Sequence, residues 1–324
     1  MPLDPVSPTQ GDASMAQKVL VLLNGSAGTA GEAASIEAVF TELGAQATVR
    51  LFTKETCGTT MAEVARGAGD GSFAYDALVV GGGDGTIGAA AAAVAGTPVP
   101  IGILPMGTLN HFARDLGLPL RLREAAEVAC GGIERHVDVG LLNGRVFVNN
   151  SSIGIYPFLV AGRTREQRRR GLGKIAAAVI AVARALRRSH WRKCTVTANG
   201  ETRKVRTACI FVGNNHYDLA RFGTRARLDD GALSIYIVKR QSWLGLLLLP
   251  VVVGLGRARP ERDIEHIRAT EAVVTSRKRH LRVAIDGEAV FLSTPLRYES
   301  LPGRLIVRCP PGLPPSLTTE PEQA

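Results

Sequence analysis

The sequence predicts a doubly wound parallel α/β domain followed by a mainly antiparallel β domain, on three observations. Up to about residue 137, short apolar runs alternate with helical patterns. Several of those runs end in turns rich in Gly, Ser, Thr, Asn or Asp. Beyond Asp138 the helical patterns give way to short strand-like runs, with Asn-Gly and Asp-Gly pairs marking turns.

Lys18–Leu23 is the first strand, and Asn24-Gly-Ser-Ala-Gly-Thr29 the glycine-rich turn after it. From Glu32 to Leu43 apolar residues recur at helical spacing (Ile36, Val39, Phe40, Leu43), and Gly44 is a natural stop. Ala47–Phe52 is the next strand and Thr60–Ala68 the next helix. Ala77–Val80 then reads as a buried parallel strand. It runs into Gly81-Gly-Gly-Asp-Gly-Thr86, and an alanine-rich helix follows from Ala89 to Ala95. Val99–Leu104 is a further strand, with Pro105-Met-Gly-Thr-Leu-Asn110 leading to a short helix ending near Leu116. Ligands of such sheets bind beyond the carboxyl ends of the strands, so the three polar turns should converge there.

In the second half, residues 139–148 form a hairpin around Asn143-Gly144. Strands are expected at 193–198, 205–213, 231–238, 264–276 and 281–285, with turns at Asn199-Gly200 and Asp286-Gly287.

The turn at residues 81–86 is the chemically informative one. Helix-opening N–H groups lack internal partners and lie at the positive end of the dipole, so strand, glycine turn and helix together suit phosphate. The spacing is neither the dinucleotide fingerprint nor a P-loop. The turn reads either as a tight strand-to-helix connection or as a phosphate cradle, in which Asp84 makes sense mainly as a metal-linked or proton-handling group because a bare carboxylate repels phosphate.

The net charge of +10 calls for an anionic partner: nucleotide, nucleic acid or membrane. Aromatic residues make up 5% of the chain and do not interleave with the basic clusters, which argues against a stacking platform for single-stranded nucleic acid and leaves no nucleic-acid partner expected. With 45% apolar and 21% charged residues, general disorder is excluded too. The five cysteines are scattered without CxxC spacing, as in reduced, buried thiols of a cytosolic protein. Residues 1–16 carry no signal peptide and, like 310–324, are expected to be disordered.

Taken together, Gly82-Gly-Asp-Gly-Thr86, residues 102–114 (GILPMGTLNHFAR), Asn150-Ser-Ser-Ile-Gly154, Leu228-Asp-Asp-Gly-Ala-Leu233 and Asp286-Gly-Glu288 resemble the diacylglycerol kinase catalytic-domain family. The likeness spans roughly residues 18–308. It implies a nucleotide domain like those of NAD kinases and phosphofructokinases at 17–137, a β-sandwich lipid-substrate domain at 138–299, and a last strand (300–309) returning to the first domain. It also implies ATP and Mg²⁺ as cofactors and a lipid hydroxyl as acceptor. Glu288 would be the general base and Asp84 would work with Mg²⁺ and the phosphates. Asn24, Ser26, Gly28, Thr53, Gly82, Gly83, Gly85, Thr86, Gly107, Thr108, Asn110 and Asp286 would surround the nucleotide, and Asp230 with Asp229 would hold a structural Mg²⁺.

The family's usual Asn-Pro, Asn-Glu and Asn-Asp pairs are here Asn24-Gly25, Gly88-Ala89 and Asn110-His111. An NAD kinase-type enzyme with a soluble substrate, and a catalytically silent binding protein, are the alternatives. The basic cluster at 163–193 reads as a helix for an anionic membrane or as a solvated face. The apolar run 243–255 reads as an interfacial lip or a core helix, and is too short to span a bilayer. The resulting location is cytoplasmic and peripheral on the inner face of the membrane. The oligomeric state, a homodimer among the options, is not set.

Overall fold

A computed structural model describes residues 17–25, 30–154, 192–218, 224–225, 227–239 and 264–311. Both tails, the basic cluster (apart from Arg192 and Lys193) and the apolar run lie outside the described residues.

The first half alternates as far as α4 and then adds a second helix: β1 (Lys18–Asn24), α1 (Ala30–Glu42), β2 (Gln46–Phe52), α2 (Cys57–Asp70), β3 (Ala77–Gly82), α3 (Asp84–Val94), β4 (Ile101–Pro105), α4 (His111–Asp115) and α5 (Leu122–Gly131). The strands pair in parallel in the order β2-β1-β3-β4. β1 shows why a continuous apolar run is needed. Val19, Val21 and Leu23 pack with Ile36 and Phe40 of α1 and Ala125, Ala126 and Ala129 of α5. Leu20 and Leu22 pack with Met61 and Val64 of α2 and Ile87 of α3 on the other face. Both faces are covered, so period-two alternation is absent. The sequence signalled no helix at α5, whose core contacts are mostly alanines.

Among the described residues, the regular elements of the second half are all strands: β5 (Ile133–Leu142), β6 (Arg145–Phe147), β7 (Asn150–Gly154), β8 (Arg192–Ala198), β9 (Glu201–Thr207), β10 (Cys209–Asn214), β11 (Tyr217–Asp218), β12 (Thr224–Arg225), β13 (Leu233–Val238), β14 (Ile264–Ala269), β15 (Glu271–Ser276), β16 (His280–Ile285), β17 (Glu288–Ser293) and β18 (Leu296–Cys309). Two runs read as single strands, 205–213 and 264–276, each divide into two that lie in different sheets. Six strands form one antiparallel sheet, β14-β13-β10-β7-β16-β17. It stacks on the far part of the larger sheet, where β18, β15, β8 and β9 extend the first domain's strands. Tyr298, Phe147, Val196, Ile235 and Val283 fill the space between, making a sandwich.

β18 ties the halves together. Its first half pairs with β15 and its length with β5, while Val307 is the parallel partner of Ile101 in β4. The Asn143-Gly144 and Asp286-Gly287 turns have both residues at positive φ, as a two-residue hairpin of type I′ requires.

Candidate active site

β3 delivers its glycines to the carboxyl edge of the sheet. α3 starts at Asp84, five residues earlier than its alanine content suggests, so Asp84 and Thr86 lie in its first turn. The compact packing there needs glycine. A Cβ on Gly107 would stand 2.5 Å from the Gly83 Cα, so the second and third polar turns abut backbone to backbone. Asn24 Nδ2 donates to Thr86 Oγ1 at 3.2 Å, joining the first turn to the second. Ser26 and Gly28 of that turn lie outside the described residues.

Asp84 Oδ1 accepts the Phe112 N–H at the start of α4 (3.3 Å). Its acidic side chain also lies at the positive end of α3. Asn110 takes the left-handed conformation (φ 51°) and is buried. Its Oδ1 accepts the Gly107 N–H and its Nδ2 donates to the Gly107 carbonyl, both at 2.9 Å. That side chain therefore shapes its own loop, while Thr108 beside it is exposed. Thr53 is exposed as well, its N–H donating to Thr56 Oγ1 at 2.9 Å.

The other side of the cleft comes from the second domain. Asp286 is held by three backbone donors, Val148, Asn149 and Asn150, at 2.8–3.0 Å. These contacts fix the turn that precedes Glu288. Burial pushes the Asp286 carboxyl up to about 6, opposed by those donors and by the Arg225 charge. The turn lies directly on α3. A Cβ at Gly88 would stand 3.1 Å from Asp286 Oδ2, and one at Gly85 would stand 3.3 Å from Glu288 Oε1. The exposed Glu288 carboxylate thus lies against the residue that follows Asp84. The Gly88 departure is explained by the same contact, because Asp286 occupies the space a side chain there would need.

One residue of this cleft carried no signal in the sequence. Cys57 opens α2, and its thiol is pushed up by burial and by the negative charge of Glu288. It lines the same corner.

Asp229 and Asp230 lie apart from these groups. Arg227 Nε reaches Asp229 Oδ1 at 3.2 Å, and Arg268 Nη2 reaches Asp230 Oδ1 at 2.8 Å. Burial, with help from both aspartates, pushes the nearby Asp138 carboxyl up, while its oxygens accept the Gly231 and Gly303 N–H groups. No group of three or more His, Cys, Asp or Glu among the described residues could hold a metal ion together. The carboxylates at 229–230 are engaged by arginine guanidinium groups rather than grouped around a space for a metal ion. Glycine turns, the opening turn of an 11-residue helix and carboxylates from both domains meet here, an arrangement suited to phosphate when a metal or a proton mediates.

Comparison with known proteins agrees with this geometry. The diacylglycerol kinase catalytic domain family matches residues 18–142, and the YegS C-terminal NAD kinase beta sandwich-like domain matches 159–309. A probable lipid kinase YegS-like protein of Pseudomonas aeruginosa is 31% identical over 311 residues, covering 92% of this chain and 96% of its own. An uncharacterized Synechocystis protein is 27% identical over 72% of this chain, which spans only 54% of that longer relative. The crystal structure of a putative diacylglycerol kinase from Bacillus anthracis superposes with a TM-score of 0.71 over 93% of this chain and 99% of that one, at 24% identity, and shares the fold. The chain belongs to the YegS-like lipid kinases, built on the diacylglycerol kinase catalytic domain.

Proposed function

We propose that the protein transfers the γ-phosphoryl group of ATP to the hydroxyl of a membrane lipid, in a reaction that depends on Mg²⁺. The observation that carries this reading is the contact of the Glu288 carboxylate with Gly85, beside Asp84. It brings a carboxylate of the second domain against the first turn of α3, which supports an acid-base role for Glu288 beside a phosphate-side Asp84.

The chain's own groups divide the work. The turns at 82–86 and 107–110 hold the triphosphate by backbone N–H groups and hydroxyls, leaving the γ-phosphorus toward Glu288. Bound Mg²⁺ would neutralise the phosphate oxygens, with Asp84 as its carboxylate partner. A lipid hydroxyl has a pKa of roughly 15.7, so Glu288 cannot ionise it beforehand. Glu288 orients the hydroxyl and takes its proton while the new P–O bond forms and the bond to the ADP oxygen breaks, the electron pair leaving with ADP.

The lipid is taken from a bilayer without a spanning anchor among the described residues, where no helix is long and apolar enough to cross a membrane. The test is a panel of diacylglycerol, sphingoid base, phosphatidylglycerol and NAD offered with labelled ATP. Label entering a lipid supports the reading. Label entering NAD makes the protein a soluble-substrate kinase, and label entering none makes it a binding protein.

A further inference from the structure

We propose that the outer face of β8, β9 and β15, at the far end of the large sheet, is a docking surface for an anionic lipid bilayer. Four cations, Lys193, Lys204, Arg206 and Arg277, line a 520 Å³ groove there together with Thr195 and Thr275. Among the described residues, no carboxylate and no aromatic ring lines it. All four cations are exposed. None has an ion-pair partner among the described residues.

The register makes this arrangement costly for folding alone. Lys193 is the direct cross-strand partner of Arg206, and Lys204 is the partner of Thr195, which in turn pairs with Thr275. Like charges directly opposite on antiparallel strands are destabilising. The same hairpin shows the usual remedy on its opposite face, where Arg203 is paired with both Glu201 and Glu265. Among the described residues the groove side has no such remedy.

Edge protection accounts for part of the charge, since β9 is an edge strand and lysines there deter strand pairing. It does not account for Lys193 or Arg277, because β8 and β15 are both flanked by other strands. A basic face whose described lining holds no acid complements a surface of repeated negative headgroups. That lining also holds no ring on which the bases of single-stranded nucleic acid could stack. The inference extends the lipid-kinase reading, in which the acceptor comes from a bilayer, yet its test needs no turnover.

The experiment is sedimentation of the full chain with phosphatidylcholine vesicles, with and without phosphatidylglycerol, over a range of NaCl. The wild-type chain should sediment only with the anionic vesicles and be released by salt. Replacing Lys193, Lys204, Arg206 and Arg277 together by Gln should lower that partition about tenfold or more. The melting temperature should hold or rise as the like-charge pair disappears. Should the quadruple variant melt early, Lys204→Glu on the exposed edge strand carries the same expectation. Equal binding of variant and wild type, equal binding to neutral vesicles, or no binding to anionic ones would overturn the proposal. So would retention on duplex DNA in place of vesicles. Failure here leaves detergent-dispersed lipid phosphorylation intact, and failure of that assay leaves sedimentation intact.

Discussion

Arg225 and Asp115 form an ion pair, Nε to Oδ2 at 2.8 Å, with the arginine side chain wholly shielded from solvent. The pair joins α4 of the first domain to the second. Its reach goes further, because Arg225 also donates to the Val148 carbonyl at 2.6 Å and to Asn149 Oδ1 at 2.7 Å. The N–H groups of those same two residues hold Asp286. At the other end of α4, the Phe112 N–H holds Asp84. A connected path of hydrogen bonds therefore links Asp84 on one wall to the turn bearing Glu288 on the other.

Arg225→Ala should destabilise the protein by roughly 3–5 kcal/mol, because it strands the Asp115 carboxylate and two carbonyls away from water. Denaturant unfolding measures it. A loss below about 1 kcal/mol would mean that solvent reaches the pair and that it does not fix the two domains.

Glu288→Gln should lower kcat by about 100-fold or more while nucleotide affinity is kept, since the amide cannot accept a proton. Asp84→Asn should abolish transfer. Near wild-type turnover in Glu288→Gln would remove that residue from the acid-base role.

Gly85→Ala tests geometry rather than charge. The added Cβ would meet Glu288 Oε1 at 3.3 Å, so the exposed carboxylate must shift by a few tenths of an ångström. Displacements of this kind cost rate steeply, and kcat should fall about tenfold at an unchanged melting temperature. Unchanged kcat would show that Glu288 works from another position.

Much of this was legible beforehand. Parallel strands covered on both faces write themselves as continuous apolar runs, so β1, β3 and β4 could be placed from composition alone. The turn 81–86 stands out by its glycines and single carboxylate, whereas Asp286-Gly287 reads only as a hairpin turn and Glu288 gains its role from the family resemblance. α5 carries no large apolar stripe to read, since it meets the sheet through Ala125, Ala126 and Ala129. The start of α3 was misplaced because glycines 85 and 88 mask helix propensity. Arg225 gave no signal, because a buried arginine is recognised by partners more than 70 residues away in sequence, not by its neighbours. Nor could spacing tell that Asp229 and Asp230 meet arginines.

Asp286 should give the fold a pH signature. Its folded value, about 6, lies above that of the unfolded chain, so the protonated form is favoured by folding. The associated stability is fully present below about pH 4 and is lost as pH rises through about 6. The melting-temperature difference between wild type and Asp286→Asn, taken as wild type minus variant, should therefore shrink from pH 4 to pH 7. A difference that grows over that interval would mean that the three N–H donors and Arg225 outweigh burial, and the carboxylate is held ionised.

Chelation separates the two places where a divalent ion could act. EDTA should stop phosphoryl transfer, because the triphosphate charge at the Asp84 wall would go uncompensated. It should leave the melting temperature of the nucleotide-free protein unchanged, because Asp229 and Asp230 already have guanidinium partners in Arg227 and Arg268. A protein that binds a structural ion would instead lose stability by mass action on chelation, by about 2.7 kcal/mol at 100 times the dissociation constant. A fall of several degrees with EDTA, reversed by added Mg²⁺ and absent in Asp230→Asn, would show that a cation displaces Arg268 from Asp230.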